Sequence, residues 1–323
     1  MCLIKMLHKK LISIVLPTYN GSRFLRDSIE SVVSQTYEHW ELIIVNDCST
    51  DNTLKIAKEY EERDSRIRVI SNNINKKLPA SLNIGFRYAK GDYYTWTSDD
   101  NIFKKNAIEY MSHYLDTHPE IDLISCNFDF VDEDLRFIRT MKEACGNEKR
   151  EQIQLALHCQ VGACFMYTKA IAKKVGDYDT SFFCAEDYDY WCRIAKDGKI
   201  AYVDENLYIY RMNSMSLTST KIDEVLLKTR EIRLKHSSDI LKKLNVDNRA
   251  KCKMYLNCYQ YDQNNEKWLS LAKNADPFYY LLRMIRRSMT KIGESIFSIK
   301  RENDQKIMRL FGIKLLTLHR KKT

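Results

Sequence analysis

The sequence predicts an α/β fold: a mostly parallel sheet flanked by helices, followed by a basic helical C-terminal extension. Three observations predict it. Strand-length apolar runs alternate with amphipathic helical segments over the first hundred residues, the pattern of consecutive βαβ units. The first two runs, Leu11–Leu16 and Glu41–Val45, are apolar almost throughout, as strands buried on both faces are. Polar groups then follow three of the runs directly, and open α/β sheets bind ligands beyond the carboxyl ends of their strands.

The elements follow in order. Leu11–Leu16 is a strand that Pro17 is expected to stop. Asn20, Gly21 and Ser22 supply a turn and a cap. Leu25, Ile29, Val32 and Val33 then recur at helical spacing within Phe24–Gln35. Glu41–Val45 is a second buried strand, closed by Asn46 and Asp47. Ser49, Thr50 and Asp51 can cap a helix with Leu54, Ile56, Ala57 and Tyr60 inside it. Arg68–Ile70 is a short third strand. Pro79 suits a first helical turn, and Gly91 a helix end. The aromatic, β-branched run Asp92–Thr97 reads as a strand that ends at Asp99 and Asp100. Ile121–Val131 and Val161–Tyr167 are further strand-like stretches, and Lys169–Val175 is a helix. In the segment Ala185–Ala195, Tyr188, Trp191, Ile194 and Ala195 share one helix face, and Glu186 and Asp187 sit in the first turn, where the helix dipole favours negative charge. From Lys221 onward the pattern is helical to the end. The expected division is therefore a catalytic domain over 1–220 and an extension over 221–323.

Composition bounds the function. The chain has 323 residues, 44% apolar and 29% charged, ordinary for a globular protein with a sizeable core. No apolar run has the length of a membrane span, and the short N-terminal segment does not read as a signal peptide. Ten cysteines contain no CxxC pair and show no zinc rhythm, so reduced buried thiols and a cytoplasmic location are expected. The formal charge of +9 lies in the tail: Lys273–Thr323 holds 13 Lys/Arg against 4 Asp/Glu. Neither GxGxxG nor GxxxxGK[ST] occurs, which argues against a Rossmann dinucleotide site and a P-loop. A bound nucleotide would have to be held by side chains and a metal.

Asp99 and Asp100 carry the chemistry. Two adjacent ionised carboxylates repel unless positive charge lies beside them. A divalent cation supplies it, and Mg²⁺ typically takes one or two protein carboxylates together with substrate phosphates. Alone, the pair would read as a solvated turn; its place at a strand end, with Asn46–Asp47 and Pro17–Asn20 at two others, makes it a site candidate.

Four motifs in order, SIVLPTYNGS, ELIIVNDCSTDNT, GDYYTWTSDDN and AEDYDYWCRI, resemble the family 2 glycosyltransferases of GT-A fold over Leu11–Thr218. The resemblance implies roles. Pro17 and Tyr19 would flank the base of a nucleotide sugar, and Asp47 would accept its imino hydrogen. Asp99 would meet the ribose or the sugar, Asp100 would bind Mn²⁺ or Mg²⁺, and Asp187 would be the base of an inverting transfer. Tyr210–Thr218, with Arg211 and Asn213, matches a stretch near the active-site lid; these two, with Glu186 and Trp191 of the fourth motif, are candidates for acceptor or lid contacts. Asn46, Thr97 and Asn213 stand where the family usually has acids or a histidine. Lys77 replaces a usual glycine and could reach a phosphate. The implied enzyme is a hexosyltransferase of surface polysaccharide biosynthesis. It would use a sugar nucleotide, expected to be UDP-linked, and a glycan or lipid-linked acceptor. A nucleotidyltransferase and a non-catalytic nucleotide-sugar or nucleic-acid binding module are the rival readings; no nucleic acid is expected. In the tail, Leu281, Leu282, Ile285, Met289, Ile292 and Ile296 fall at helical intervals among cations. This suits an interfacial helix on the anionic inner face of a membrane, and equally a helix packed on its own protein.

Overall fold

The computed structural model describes residues 9–142, 153, 155–158, 161–262, 265–284, 297–302, 305–310 and 313–318. It divides into two compact units, 1–245 and 246–323. The first unit reaches Asn245, past the boundary at 220 expected from sequence.

In the first unit β1 (Ile12–Thr18), α1 (Leu25–Val33), β2 (Trp40–Asn46), α2 (Thr53–Arg63), β3 (Ile67–Ser71), α3 (Leu78–Tyr88) and β4 (Tyr93–Trp96) follow one another as read from the sequence. Then come β5 (Ile102–Phe103), α4 (Ala107–Thr117), β6 (Leu123–Val131), β7 (Phe137–Met141), β8 (Cys164–Thr168) and α5 (Lys169–Val175). A 3-10 turn over Thr180–Phe182 leads to α6 (Glu186–Asp197), β9 (Ile200–Arg211), α7 (Leu217–Thr220) and α8 (Ile222–Lys243). The strands form one sheet in the order β3-β2-β1-β4-β8-β6-β9-β5, with β7 on β6. From β3 to β4 every pairing is parallel. Beyond β4 the sheet is mixed: β8 runs antiparallel to β4 and β6, and β6 and β9 are parallel. This second half is connected partly by β-hairpin rather than by helical crossover, and antiparallel neighbours need only a short link.

The parallel half explains the apolar runs. All seven residues of β1 are buried, because α1 and α2 cover one face of the sheet and α3 the other. Gly85 lets α3 come close: a Cβ there would sit 2.4 Å from Val15 Cγ1. Pro17 does not stop β1, contrary to the sequence reading. Val15 O accepts from Thr97 N and Thr18 O from Asp47 N, so alternation points Pro17 toward β4, beyond its last pair at Trp96. Its missing N–H therefore breaks no ladder bond.

The second unit holds α9 (Asn248–Tyr261) and α10 (Glu266–Ala275), capped by Asp247 and Asn265. Trp268, fully buried, donates from Nε1 to Asp262 Oδ2 at 2.8 Å and stacks on Tyr255. Residues 277–284 are helical. The sequence reading carried that helical pattern to the C-terminus, and here the structure differs. β10 (Phe297–Glu302), β11 (Gln305–Leu310) and β12 (Ile313–Leu318) form an antiparallel three-stranded sheet. The physical reason is visible in retrospect: only two residues separate each pair of strands, Asn303-Asp304 and Phe311-Gly312, the length of a tight hairpin link. Of the proposed interfacial face, Leu281 and Leu282 are described and exposed, as is Phe278; Ile285, Met289, Ile292 and Ile296 lie outside the described residues.

Candidate active site

The parallel strands β1, β2 and β4 end on the same edge, and their polar continuations meet there. At the end of β2, Asp47 is buried. Its Oδ1 accepts from Asn72 Nδ2 and Lys76 N, and its Oδ2 from Lys77 N, each at 2.8 Å. A carboxylate offers about four acceptor positions. Three are thus spent on closing the 72–77 loop, and one on Oδ2 remains for a ligand. Asn46, where the family usually has an acid, is a bracket: its Nδ2 donates to Ser71 Oγ at 2.8 Å and its Oδ1 accepts from Ser49 N at 3.3 Å. Lys77 takes a left-handed φ of 72° to start α3, and its Nζ lies 6.0 Å from the centre of the Phe183 ring. Pro17 is buried beneath the edge, whereas Tyr19 is half exposed with its ring open.

At the end of β4, Thr18 Oγ1 donates to Asp99 Oδ2 at 2.5 Å. Gly21 lies against the same carboxylate, so close that a Cβ would fall 1.9 Å from Asp99 Oδ2. Burial, with the neighbouring Asp100 charge adding to it, pushes the Asp99 carboxyl up to about 7 against the Thr18 hydrogen bond. Ser98 Oγ donates to Asp100 Oδ1 at 2.5 Å and accepts from Asn101 Nδ2 at 2.6 Å. Thr97, at the usual place of an acid, is buried and bonds Tyr208 Oη at 2.5 Å, tying β4 to β9.

The second acidic pair opens α6. Glu186 is only 3% exposed, and its Oε2 has no hydrogen-bond partner among the described residues. Burial and then the Asp187 charge push the Glu186 carboxyl up to about 8. Burial also raises Asp187, whose Oδ1 accepts from Tyr188 N at 2.7 Å. Among the described residues, none of Asp99, Asp100, Glu186 and Asp187 is in an ion pair, and no three His, Cys, Asp or Glu side chains are gathered at ligand spacing.

Two expected acceptor contacts are core elements instead. Trp191 is fully buried, with its ring 4.5 Å from Phe165, which in turn meets Trp96 of β4 at 5.6 Å. This aromatic chain seats α6 on the sheet, so Trp191 is shut off from an acceptor. Arg211 is 3% exposed and reaches away to α1, bonding Asp27 Oδ2 at 2.8 Å with its guanidinium 4.2 Å from the Phe24 ring centre. It roots the following segment rather than covering the site. Asn213 spends Oδ1 on Met215 N at 2.9 Å, within its own turn. Sequence reasoning placed Thr18 and Ser98 at strand ends and Gly21 in a turn, all inside the quoted motifs, but gave none of them a site role of its own. Asn72 carried no signal of its own.

The family model described as Glycosyl transferase family 2 matches residues 13–176, half of the chain. The chain belongs to glycosyl transferase family 2. An uncharacterized glycosyltransferase of Rickettsia typhi is 28% identical over 223 residues, 68% of this chain and 69% of the relative. Glycosyltransferase GlyG of Streptococcus pneumoniae is 30% identical over 227 residues, 66% of this chain and 75% of its own length. Among solved structures, S. aureus TarS 1–349 in complex with UDP-GlcNAc superposes with a TM-score of 0.57 at 15% identity, covering 93% of this chain and 96% of that one. A mannosyltransferase of Pyrobaculum calidifontis in complex with GDP-Man and Mn²⁺ gives a TM-score of 0.55 at 14% identity, over 88% and 81%. The family 2 chain thus has the GT-A fold, and it is a glycosyltransferase. No helix among the described residues is long and apolar enough to cross a membrane.

Proposed function

We propose that this family 2 enzyme is a metal-dependent inverting glycosyltransferase. It moves a sugar from a nucleotide sugar, UDP-linked by preference, to a hydroxyl of a glycan or lipid-linked acceptor in surface polysaccharide biosynthesis. The observation that carries the reading is the set of four site carboxyl groups, Asp99, Asp100, Glu186 and Asp187, none of which is paired with a cation among the described residues. Two neighbouring structures, of TarS with UDP-GlcNAc and of the mannosyltransferase with GDP-Man and Mn²⁺, support the donor class.

In this reading the base lies on Tyr19 above Pro17, and the remaining acceptor position of Asp47 Oδ2 takes its imino hydrogen. Asp99 holds a sugar hydroxyl. Asp100, with one oxygen held by Ser98, offers the other as a hard ligand to Mn²⁺ or Mg²⁺, a fit for cations that take few protein carboxylates. When bound, the ion acts as a Lewis acid that stabilises the departing diphosphate. Lys77, beside Phe183, can reach a phosphate oxygen. Asp187 takes the acceptor hydroxyl proton. The acceptor oxygen bonds to the anomeric carbon as the bond from that carbon to the diphosphate breaks, which inverts the centre. Glu186 stays protonated beside Asp187 and keeps the second charge off the pair.

A panel of UDP-, GDP- and CDP-linked sugars, assayed for nucleotide release with Mn²⁺ or EDTA, tests the proposal. Turnover of a UDP sugar that EDTA abolishes is expected; full turnover in EDTA, or turnover of GDP and CDP sugars alone, would overturn the metal or the nucleotide assignment. The tail, where all the net charge lies, is proposed to dock on the anionic cytoplasmic face of the membrane through Phe278, Leu281 and Leu282, which are exposed. Co-sedimentation with anionic vesicles should weaken with salt and vanish on truncation after Asp276. Equal recovery of both forms in the supernatant would reject it.

A further inference from the structure

The segment that carries Glu186 and Asp187 is held by α8, and both lie beyond residues 13–176, which the family model matches. Lys235 Nζ lies 3.6 Å from Asp179 Oδ2 and 3.1 Å from Asp189 Oδ1. These two carboxylates stand ten residues apart, one on each side of the Glu186–Asp187 pair. Asp189 is fully buried, and two more groups converge on it: His236 Nε2 at 2.8 Å from Oδ1 and Arg193 Nε at 2.8 Å from Oδ2. Arg193 also donates to Val175 O at 2.6 Å and Asp177 O at 3.0 Å, so the connection from α5 to α6 is stitched to α6 on that side too. Phe182, between the two carboxylates, lies with its ring centre 4.5 Å from Lys235 Nζ. Although burial acts to raise it, the hydrogen bonds and charges of His236, Arg193 and Lys235 hold the Asp189 carboxyl well below the usual carboxylate range. It is an anchor that stays ionised, and its two α8 partners hold it to a second element.

We propose that Lys235 and His236 are positioning residues for the transfer: they lock both ends of the 179–189 segment and thereby aim Asp187 at the acceptor hydroxyl. The proposal rests on the reading of Asp187 as the base. Its physical basis is that proton transfer requires heavy-atom contact within a few tenths of an ångström, and that a misplacement of about 1 Å can cost about 10²-fold in rate. The donor-side groups Asp47, Asp99 and Asp100 hang on β2 and β4 and do not touch the clamp; of the donor-side set Lys77 alone faces the clamped segment, 6.0 Å from the Phe183 ring centre and without an ion pair to it, so the clamp should act mainly on kcat and leave nucleotide binding nearly unchanged.

Lys235→Met tests this in the full-length enzyme. Asp189 keeps Arg193 and His236 in that variant, so its buried charge is not orphaned and the fold should hold. Three quantities are read: kcat, KM for the donor, and UDP affinity by calorimetry. The expected result is a fall in kcat of about tenfold or more, with KM for the donor and UDP affinity within about twofold of wild type, and recovery of most of kcat in Lys235→Arg. Asp179→Asn, which keeps the cap on Ser181, breaks the other arm and should show the same split to a smaller degree, giving the answer even where Lys235→Met is poorly folded. Unchanged kcat in both variants, or a loss of UDP affinity in step with kcat, would overturn the clamp. Asp187→Asn runs alongside: if it turns over at the wild-type rate, the base assignment has failed, a result that does not depend on Lys235.

Discussion

Gly21→Ala is a one-carbon test of the donor site. The new Cβ would stand 1.9 Å from Asp99 Oδ2, 2.5 Å from Asp99 Cγ and 2.8 Å from Thr18 Oγ1. Contacts under 3.0 Å are not tolerated, so the Asp99 oxygen has to retreat by about 1.1 Å. The backbone at Gly21 cannot easily move instead, because its carbonyl accepts from Phe24 N at 3.1 Å and Leu25 N at 3.0 Å and so starts α1. Nor is Gly21 in the left-handed region, so alanine brings no backbone strain of its own. The cost to stability is then about one hydrogen bond, that of Thr18 to Asp99, or about 1 kcal/mol. The cost to function expected from the proposed donor contact of Asp99 is larger: moving a substrate-positioning carboxylate by about 1 Å can lower the rate by about 10²-fold. Thermal unfolding and kcat/KM for the donor sugar measure the two sides. A folded Gly21→Ala with wild-type kcat/KM would show that Asp99 does not contact the donor.

Asp187→Asn keeps size and hydrogen bonding but cannot accept the proton; transfer should fall by about 10²-fold or more while UDP affinity holds, and a wild-type rate would leave Asp187 as a helix-terminal acid. Asp100→Ala should remove the Mn²⁺ dependence of UDP binding in calorimetry without lowering the melting temperature; metal-dependent binding equal to wild type would place the ion elsewhere. Glu186 titrates at about 8 in the folded chain against 4.5 ordinarily. Between those values the folded state holds a proton the unfolded state has released, so stability falls as pH rises through the window. Glu186→Gln removes the Glu186 share of that dependence, leaving that of Asp99, and its melting temperature should decline less than wild type from about pH 5 to about pH 8; parallel curves would contradict the raised carboxyl.

The parallel half of the sheet was legible because burial on both faces leaves an unbroken apolar run, as in Ile12–Leu16 and Leu42–Val45, and each run ends at a polar group on the binding edge. The antiparallel half was less so: β8 and β6 read as strands, but nothing in a single strand states the direction of its partner. Trp191 shows local physics and family resemblance disagreeing. Helical spacing put it on one face with Tyr188, Ile194 and Ala195, all four buried, while the resemblance suggested an acceptor contact. The periodicity was the better guide. In the tail, aliphatics occur both three or four apart and two apart, so the helix pattern over Phe278–Phe297 was extended into residues that pair as strands. Lys235 was invisible, since it lies 48 residues beyond Asp187 and an ion cluster assembled by the fold leaves no spacing in the chain.

In the proposed mechanism the acceptor displaces the diphosphate directly at the anomeric carbon, with Asp187 as base. Proton NMR of donor hydrolysis tests it without knowledge of the acceptor, water serving in its place. An α-linked UDP sugar is incubated with enzyme and Mn²⁺, and the first free sugar is observed before mutarotation. The prediction is that the β anomer appears first with wild type, and that Asp187→Asn releases almost none; an α anomer released first, or equal release by Asp187→Asn, would contradict it.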